Sequence, residues 1–153
     1  MNPKNTFVDA IAEIRGGNGY PDISGTATFM QTESGVFITI NVSNLPKESI
    51  CDGGWFALHI HEGESCTGSS DDQFSNAKTH YHASNCPHPY HAGDLPPLMG
   101  NNGFAYMSVL TNRFTVNDII HRVIVIHERK DDFTTQPSGN AGTKIACGRI
   151  IKV

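Results

Sequence analysis

What this chain lacks narrows its class before any motif is read. Charged residues make up only 17% of its 153 positions, and 11 Lys and Arg stand against 15 Asp and Glu, a net charge of −4. The basic footprint of a nucleic-acid binder is missing. No apolar run approaches the ~20 residues of a membrane helix, so no membrane partner is expected. No long stretch carries a helical period. The opening segment, Met1 to Thr6, is polar and has no basic start followed by an apolar run. It does not read as a secretory leader. The expectation is a cytoplasmic protein, with an exported one whose leader has been removed as the alternative. Low charge here is not disorder, because 38% of residues are hydrophobic and disorder goes with few apolar residues and high net charge. The length is that of one domain able to bury its own core. No internal repeat, linker or low-complexity tract divides it, so one domain over residues 1–153 is expected.

What is present is mostly strand pattern. Val8, Ala10, Ala12 and Ile14 alternate with Asp9, Ile11, Glu13 and Arg15, a period of two with Ile11 as the exception. Thr26–Met30 and the β-branched run Val36–Val42 follow, joined by Thr32-Glu33-Ser34-Gly35 as a hairpin turn. Further strands are expected at Trp55–His61, Phe104–Leu110, Val123–His127 and Ile145–Val153, with Asn101-Asn102-Gly103 as the turn before the second of these. Seven or eight short strands imply an all-β antiparallel sandwich or barrel. Two stretches, Gly63–Asn102 and Lys130–Thr143, show little strand pattern. Loops of such length in a compact domain usually carry function.

The first of those loops is rich in histidine. Six of the eight histidines fall between His59 and His91. His59 and His61 are two apart in an expected strand, so both imidazoles leave one face while Leu58 and Ile60 leave the other. His80, His88, His91 and Asp94 follow, three imidazoles and a carboxylate that suit tetrahedral zinc. His127 ends another strand and completes a nitrogen-rich set with His59 and His61, of the kind that suits copper. A lone histidine on a strand is usually an ordinary residue. Six with an aspartate at sheet ends and loops are not explained that way.

These motifs, in this order, resemble the copper/zinc superoxide dismutases over almost the whole chain. The resemblance rests on Phe56-Ala57-Leu58-His59-Ile60-His61-Glu62, on His80 with His88, and on His91-Ala92-Gly93-Asp94-Leu95. It rests further on Val125-Ile126-His127-Glu128 with Asp131-Asp132, and on Gly139-Asn140-Ala141-Gly142 with Ala146-Cys147-Gly148. Ala-Gly-Asp-Leu-Pro-Pro and the short loops look like the bacterial-type branch. The resemblance implies a Greek-key β-sandwich or barrel of about eight strands with long metal-binding and electrostatic loops. It implies dismutation of superoxide to oxygen and hydrogen peroxide, by copper cycling between Cu(II) and Cu(I) beside a structural zinc. Residue by residue, His59, His61, His80 and His127 would hold copper. His80, His88, His91 and Asp94 would hold zinc, with His80 bridging. Asp131 would link His59 to His88 and orient both rings. Cys66 and Cys147 would form the family's internal disulfide. Homodimers and copper chaperones are the protein partners that such a resemblance raises.

There are departures. The family's arginine three residues before the final cysteine is Lys144 here, which keeps the charge but loses the planar fork. With His80 it is expected to serve catalysis, attracting the small anionic substrate near copper, so that the rate falls as salt rises. Arg113 and Arg129 are the alternative cations for that steering. The interval from His88 to His91 is shorter than in the animal enzymes. His82 stands where the family commonly has asparagine and reads as a loop residue or an accessory metal contact. His121 reads as a surface residue. Cys51 and Cys86 are left over. They would pair with each other, stay as buried thiols or, for Cys86, compete for metal. The rival classes are a copper or zinc store without catalysis, a mononuclear zinc hydrolase and an adhesion module. A closed four-ligand zinc set argues against the second, and the histidine pattern against the third.

Overall fold

The computed structural model describes residues 7–153, so the polar segment Met1–Thr6 lies outside the described residues. Eight strands form one antiparallel sheet: β1 (Ala10–Gly16), β2 (Ser24–Thr32), β3 (Gly35–Ser43), β4 (Trp55–His61), β5 (Asp94–Met99), β6 (Ala105–Thr111), β7 (Val123–His127) and β8 (Lys144–Lys152). Their order is β5-β4-β7-β8-β1-β2-β3-β6. The two edge strands, β5 and β6, come together without a ladder and nearly close a barrel. The chain runs from β3 through β4 and β5 before β6 returns to pair with β3, and β7 then returns to β4. These are Greek-key returns.

The alternation in the sequence becomes the barrel's inside and outside. Ala10, Ala12 and Ile14 of β1, Ile38 and Ile40 of β3, and Leu58 and Ile60 of β4 are fully buried in one core with Ile124, Ile126 and Ile150. The turn before β6 forms as expected, with Asn101 bridged to Phe104 and positive φ at Asn102 and Gly103, the left-handed backbone that Asn and Gly tolerate best.

One expectation needs correction. The stretch Gly63–Asn102 is not one long loop, because β5 lies inside it. Pro96 and Pro97 hide this strand in the sequence, since proline cannot donate to a ladder. They are tolerated because β5 is an edge strand, and because the register slips between Phe56 and Leu58, so that both prolines face the single residue Ala57. A short 3-10 turn, Ser75–Ala77, also lies in the stretch, and a one-turn α1 (Val116–Ile119) precedes β7. Helix α1 is started by a capping box between Thr115 and Asp118.

β4 and β7 are buried on both faces. Their second face does not enter the barrel core. Val123 and Val125 form a separate outer cluster with Phe74, Ala77 and Cys147. The loop after β4 thus folds back over the outside of the barrel, and the histidines lie beneath it.

Candidate metal centre

β4 organises the centre through its partners. His59 pairs across the ladder with Asp94 of β5, and His61 is bridged to His80. His127 stands at the end of β7, where a bulge in the β7–β8 ladder sets it opposite Lys144. His59, His61, His80, His88 and His127 are all buried. The structure brings the expected donors into two groups, His59-His61-His80-His127 and His80-His88-His91-Asp94, each with one donor atom per residue and all within 4.8 Å of one another. His80 belongs to both.

Hydrogen bonds fix which ring nitrogens face the centre. His61 Nδ1–H donates to Lys78 O at 2.9 Å, and His127 Nδ1–H donates to Gly142 O at 3.3 Å. A neutral imidazole has one N–H. The two Nε2 atoms, 3.2 Å apart, are therefore lone pairs aimed at each other. Two acceptors at that distance repel unless a cation lies between them. Burial pushes the His127 imidazole down to about 3, helped by the neighbouring His59, and burial with the neighbouring His127 holds His61 well below the usual histidine range. A proton is therefore not that cation at neutral pH, and a metal ion fits.

The second group carries the same signature. His59 Nε2–H and His88 Nε2–H donate to the two oxygens of Asp131, each at 2.8 Å. His88 Nδ1 then faces Asp94 Oδ2 at 3.0 Å with no proton left to give. His80 Nδ1 faces the other Asp94 oxygen at 2.7 Å. His59 Nδ1, His80 Nε2 and His91 Nδ1 are buried without hydrogen-bond partners. Orphaned buried polar atoms are rare and costly. His59 Nδ1 and His80 Nε2 belong to the first group, and His91 Nδ1, 3.2 Å from Asp94 Oδ2, to the second. Both donor sets fit a metal ion, the four-nitrogen set as a copper site and the three-nitrogen carboxylate set as a zinc site.

Asp131 is held charged. Burial works to raise its carboxyl, but bonds from His59, the Phe133 N–H and His88 bring it down to about 2. The backbone beside it is equally specified. Gly139 has φ +71°, and a Cβ there would run into the Asp131 carboxylate and the His88 ring.

Gln136 was not foreseen from the sequence, nor were the partners of Arg113 and Lys144. Gln136 grips the His88 backbone from both sides, accepting from its N–H at 3.0 Å and donating to its carbonyl at 2.6 Å. Arg113 is spent on the zinc-side loop, where one guanidinium nitrogen donates to the carbonyls of Pro89, His91 and Asp94. Lys144 is not a free cation: its ammonium lies 2.5 Å from Asp72 Oδ2. None of these pairings has a local sequence signal, since partners lie 19 to 72 positions away.

Other residues resolve simply. Cys66 and Cys147 are disulfide-bonded, tying the loop to β8. Cys51 and Cys86 are exposed and unpaired. The expectations that they pair or stay buried are corrected, because Cys51 sits on a turn before β4 and Cys86 on the outer side of the loop between His80 and His88. His82 is exposed; it lies 4.0 Å from Glu62 and its ring 5.9 Å from that of His91, outside both donor groups. His121 is an exposed neighbour of Arg149.

A nearly closed antiparallel barrel with two buried donor sets outside it, sharing one imidazole, defines a class of β-barrel metalloproteins. Comparison with known proteins makes this specific. The description "Copper/zinc superoxide dismutase (SODC)" belongs to the family whose sequence pattern matches residues 23–150, and the chain belongs to that family. Relatives include the "Superoxide dismutase [Cu-Zn]" of Deinococcus radiodurans, 34% identical over 82% of this chain and 76% of that protein. The corresponding protein of Legionella pneumophila is 33% identical over 85% and 79%. The Cu/Zn superoxide dismutase from Brucella abortus shares the fold at TM-score 0.77 and 24% identity, covering 92% of this chain and 99% of that one. A SOD-like protein from Bacillus subtilis does so at TM-score 0.73 and 26% identity, covering 91% and 96%. The family is an oxidoreductase family whose cofactors are copper and zinc and whose substrate is superoxide.

Proposed function

We propose that in this chain His59, His61, His80 and His127 hold the copper, and His80, His88, His91 and Asp94 the zinc, for the reaction 2 O2•− + 2 H+ → O2 + H2O2. The observation that carries this assignment is the pair of Nε2 lone pairs of His61 and His127, 3.2 Å apart with both Nδ1–H groups already donating to carbonyls. When bound, copper would supply one-electron exchange with superoxide, and zinc, which does not change redox state, would supply a fixed positive charge beside His80.

The protein's own groups do the rest. β4 and β7 hold three of the imidazoles on rigid, doubly buried strands. Asp131 locks the tautomers of His59 and His88, so that each presents Nδ1 inward. His80 turns Nδ1 to the zinc set and Nε2 to the copper set. Nε2 is the buried position at which a proton can be taken up and handed to the reduced product. Lys144, opposite His127, brings a cation to the copper side for an anionic substrate. Buried walls keep bulk water from the rings.

The family resemblance also supports a second copy of this chain and a copper chaperone as protein partners. The test is metal analysis and a superoxide assay on one sample. About one copper and one zinc per chain are expected. His127→Ala should lose copper and activity and keep most of its zinc. Full dismutase activity in that variant would refute the copper assignment.

A further inference from the structure

The cation beside the copper set is already occupied by a carboxylate of the chain itself. Lys144 Nζ lies 2.5 Å from Asp72 Oδ2. The other oxygen, Asp72 Oδ1, accepts the Phe74 N–H at 3.0 Å. Phe74 is buried in the outer cluster with Val123, Val125 and Cys147, against which Cys66 packs. Asp72 is therefore a placed residue, fixed from behind by a buried aromatic and by the disulfide-tied loop. Lys144 is its counterpart on the sheet, directly across the ladder from His127, whose Nδ1–H donates to Gly142 two residues before Lys144. Asp71, Asp72, Gly142, Thr143 and Lys144 line one cleft at this end of the site.

We propose that Asp72 competes with the substrate anion for the Lys144 ammonium and so sets how strongly the anion is drawn to the copper side. This rests on the assignment of copper to the His59-His61-His80-His127 set. The Lys144 side chain is 17% exposed but that of Asp72 is 41% exposed. A pair with one half-open partner is weak and screened by water, so a small anion can draw the ammonium away. Arg113 does not substitute for it, being committed to three carbonyls of the zinc-side loop.

The experiment uses the copper- and zinc-loaded protein, with azide as the anion probe, read from the copper(II) absorption, and with superoxide, read by pulse radiolysis over a salt series. Asp72→Asn and Asp72→Ser remove the competing charge. Each should bind azide on the order of fivefold more tightly at low salt and show a steeper fall of rate with salt than the parent. Asp72→Glu, which keeps the charge, should return towards the parent. In a Lys144→Met background, the Asp72→Asn effect on azide should shrink sharply, because the coupling runs through the ammonium. Unchanged azide affinity and salt slope in both neutral variants, with parental copper content, would overturn the proposal and leave Asp72 a loop residue. So would an equal effect with and without Lys144. A parent that takes up no copper would instead overturn the metal assignment beneath it.

Discussion

A buried imidazole with one nitrogen donating to a carbonyl can offer only a lone pair from the other. His61 and His127 are both in that state, and burial makes protonation of either expensive. In the metal-free protein this has a definite consequence for pH. The His127 pKa is about 3 in the folded chain against 6.5 in the unfolded one, and that of His61 is lowered in the same direction. The unfolded chain therefore binds more protons as pH falls, and stability present above pH 6.5 is lost on the way down to about 3. Asp131, at about 2 against 3.8, adds a loss of the same sign in its own lower window. The melting temperature of the metal-free protein should fall steadily as pH is lowered from 6.5, and His127→Ala should flatten part of that fall. A flat profile down to pH 4 would show that these rings are not buried as described.

At the scale of elements, β4 joins stability to function because its two faces do different things. Ile60 fills the barrel core and its neighbours His59 and His61 face the centre. Ile60→Ala should cost about 2–5 kcal/mol by urea unfolding, while leaving the ligand set chemically complete. The 128–143 loop acts the other way. Its Gly139 leaves room for Asp131 against His88. Gly139→Ala should destabilise the fold by about 1 kcal/mol or more, because an L residue is strained at that positive φ, and weaken zinc binding about 10–100-fold, the usual penalty for disturbing a ligand's orienting partner. Competition with a chelator measures it, and unchanged zinc affinity would mean that the loop yields.

For the whole molecule, the disulfide matters most, closing a span of 81 residues between Cys66 and Cys147. Restricting the unfolded chain over that length is worth on the order of 4 kcal/mol. Reduction should lower the denaturant midpoint accordingly. It should also free the Asp72 segment, which the same outer cluster anchors. Alkylation of the native protein without reductant should label two thiols, Cys51 and Cys86, and mass mapping should find Cys66 joined to Cys147. A linkage of Cys66 to Cys86 would contradict the structure.

Strand periodicity, the Asn101-Asn102-Gly103 turn and the His59-x-His61 spacing were legible because each expresses a local rule: side chains two apart share a strand face, and left-handed backbone favours Asn and Gly. The ligand residues were legible as types in a pattern, and as positions matching a known family. Tertiary structure alone decided what those rules do not reach. β5 formed despite Pro96 and Pro97 because an edge position and a bulge removed the need for their missing donors. Arg113 became a clamp on the zinc-side loop, and Lys144 one half of an ion pair with Asp72. Cys51 and Cys86 were left apart on the surface. In each case the partner is distant in sequence, and a charge or a thiol has no periodicity that says which distant group it will meet. That is settled only when the barrel closes and the loop after β4 folds over its outer face.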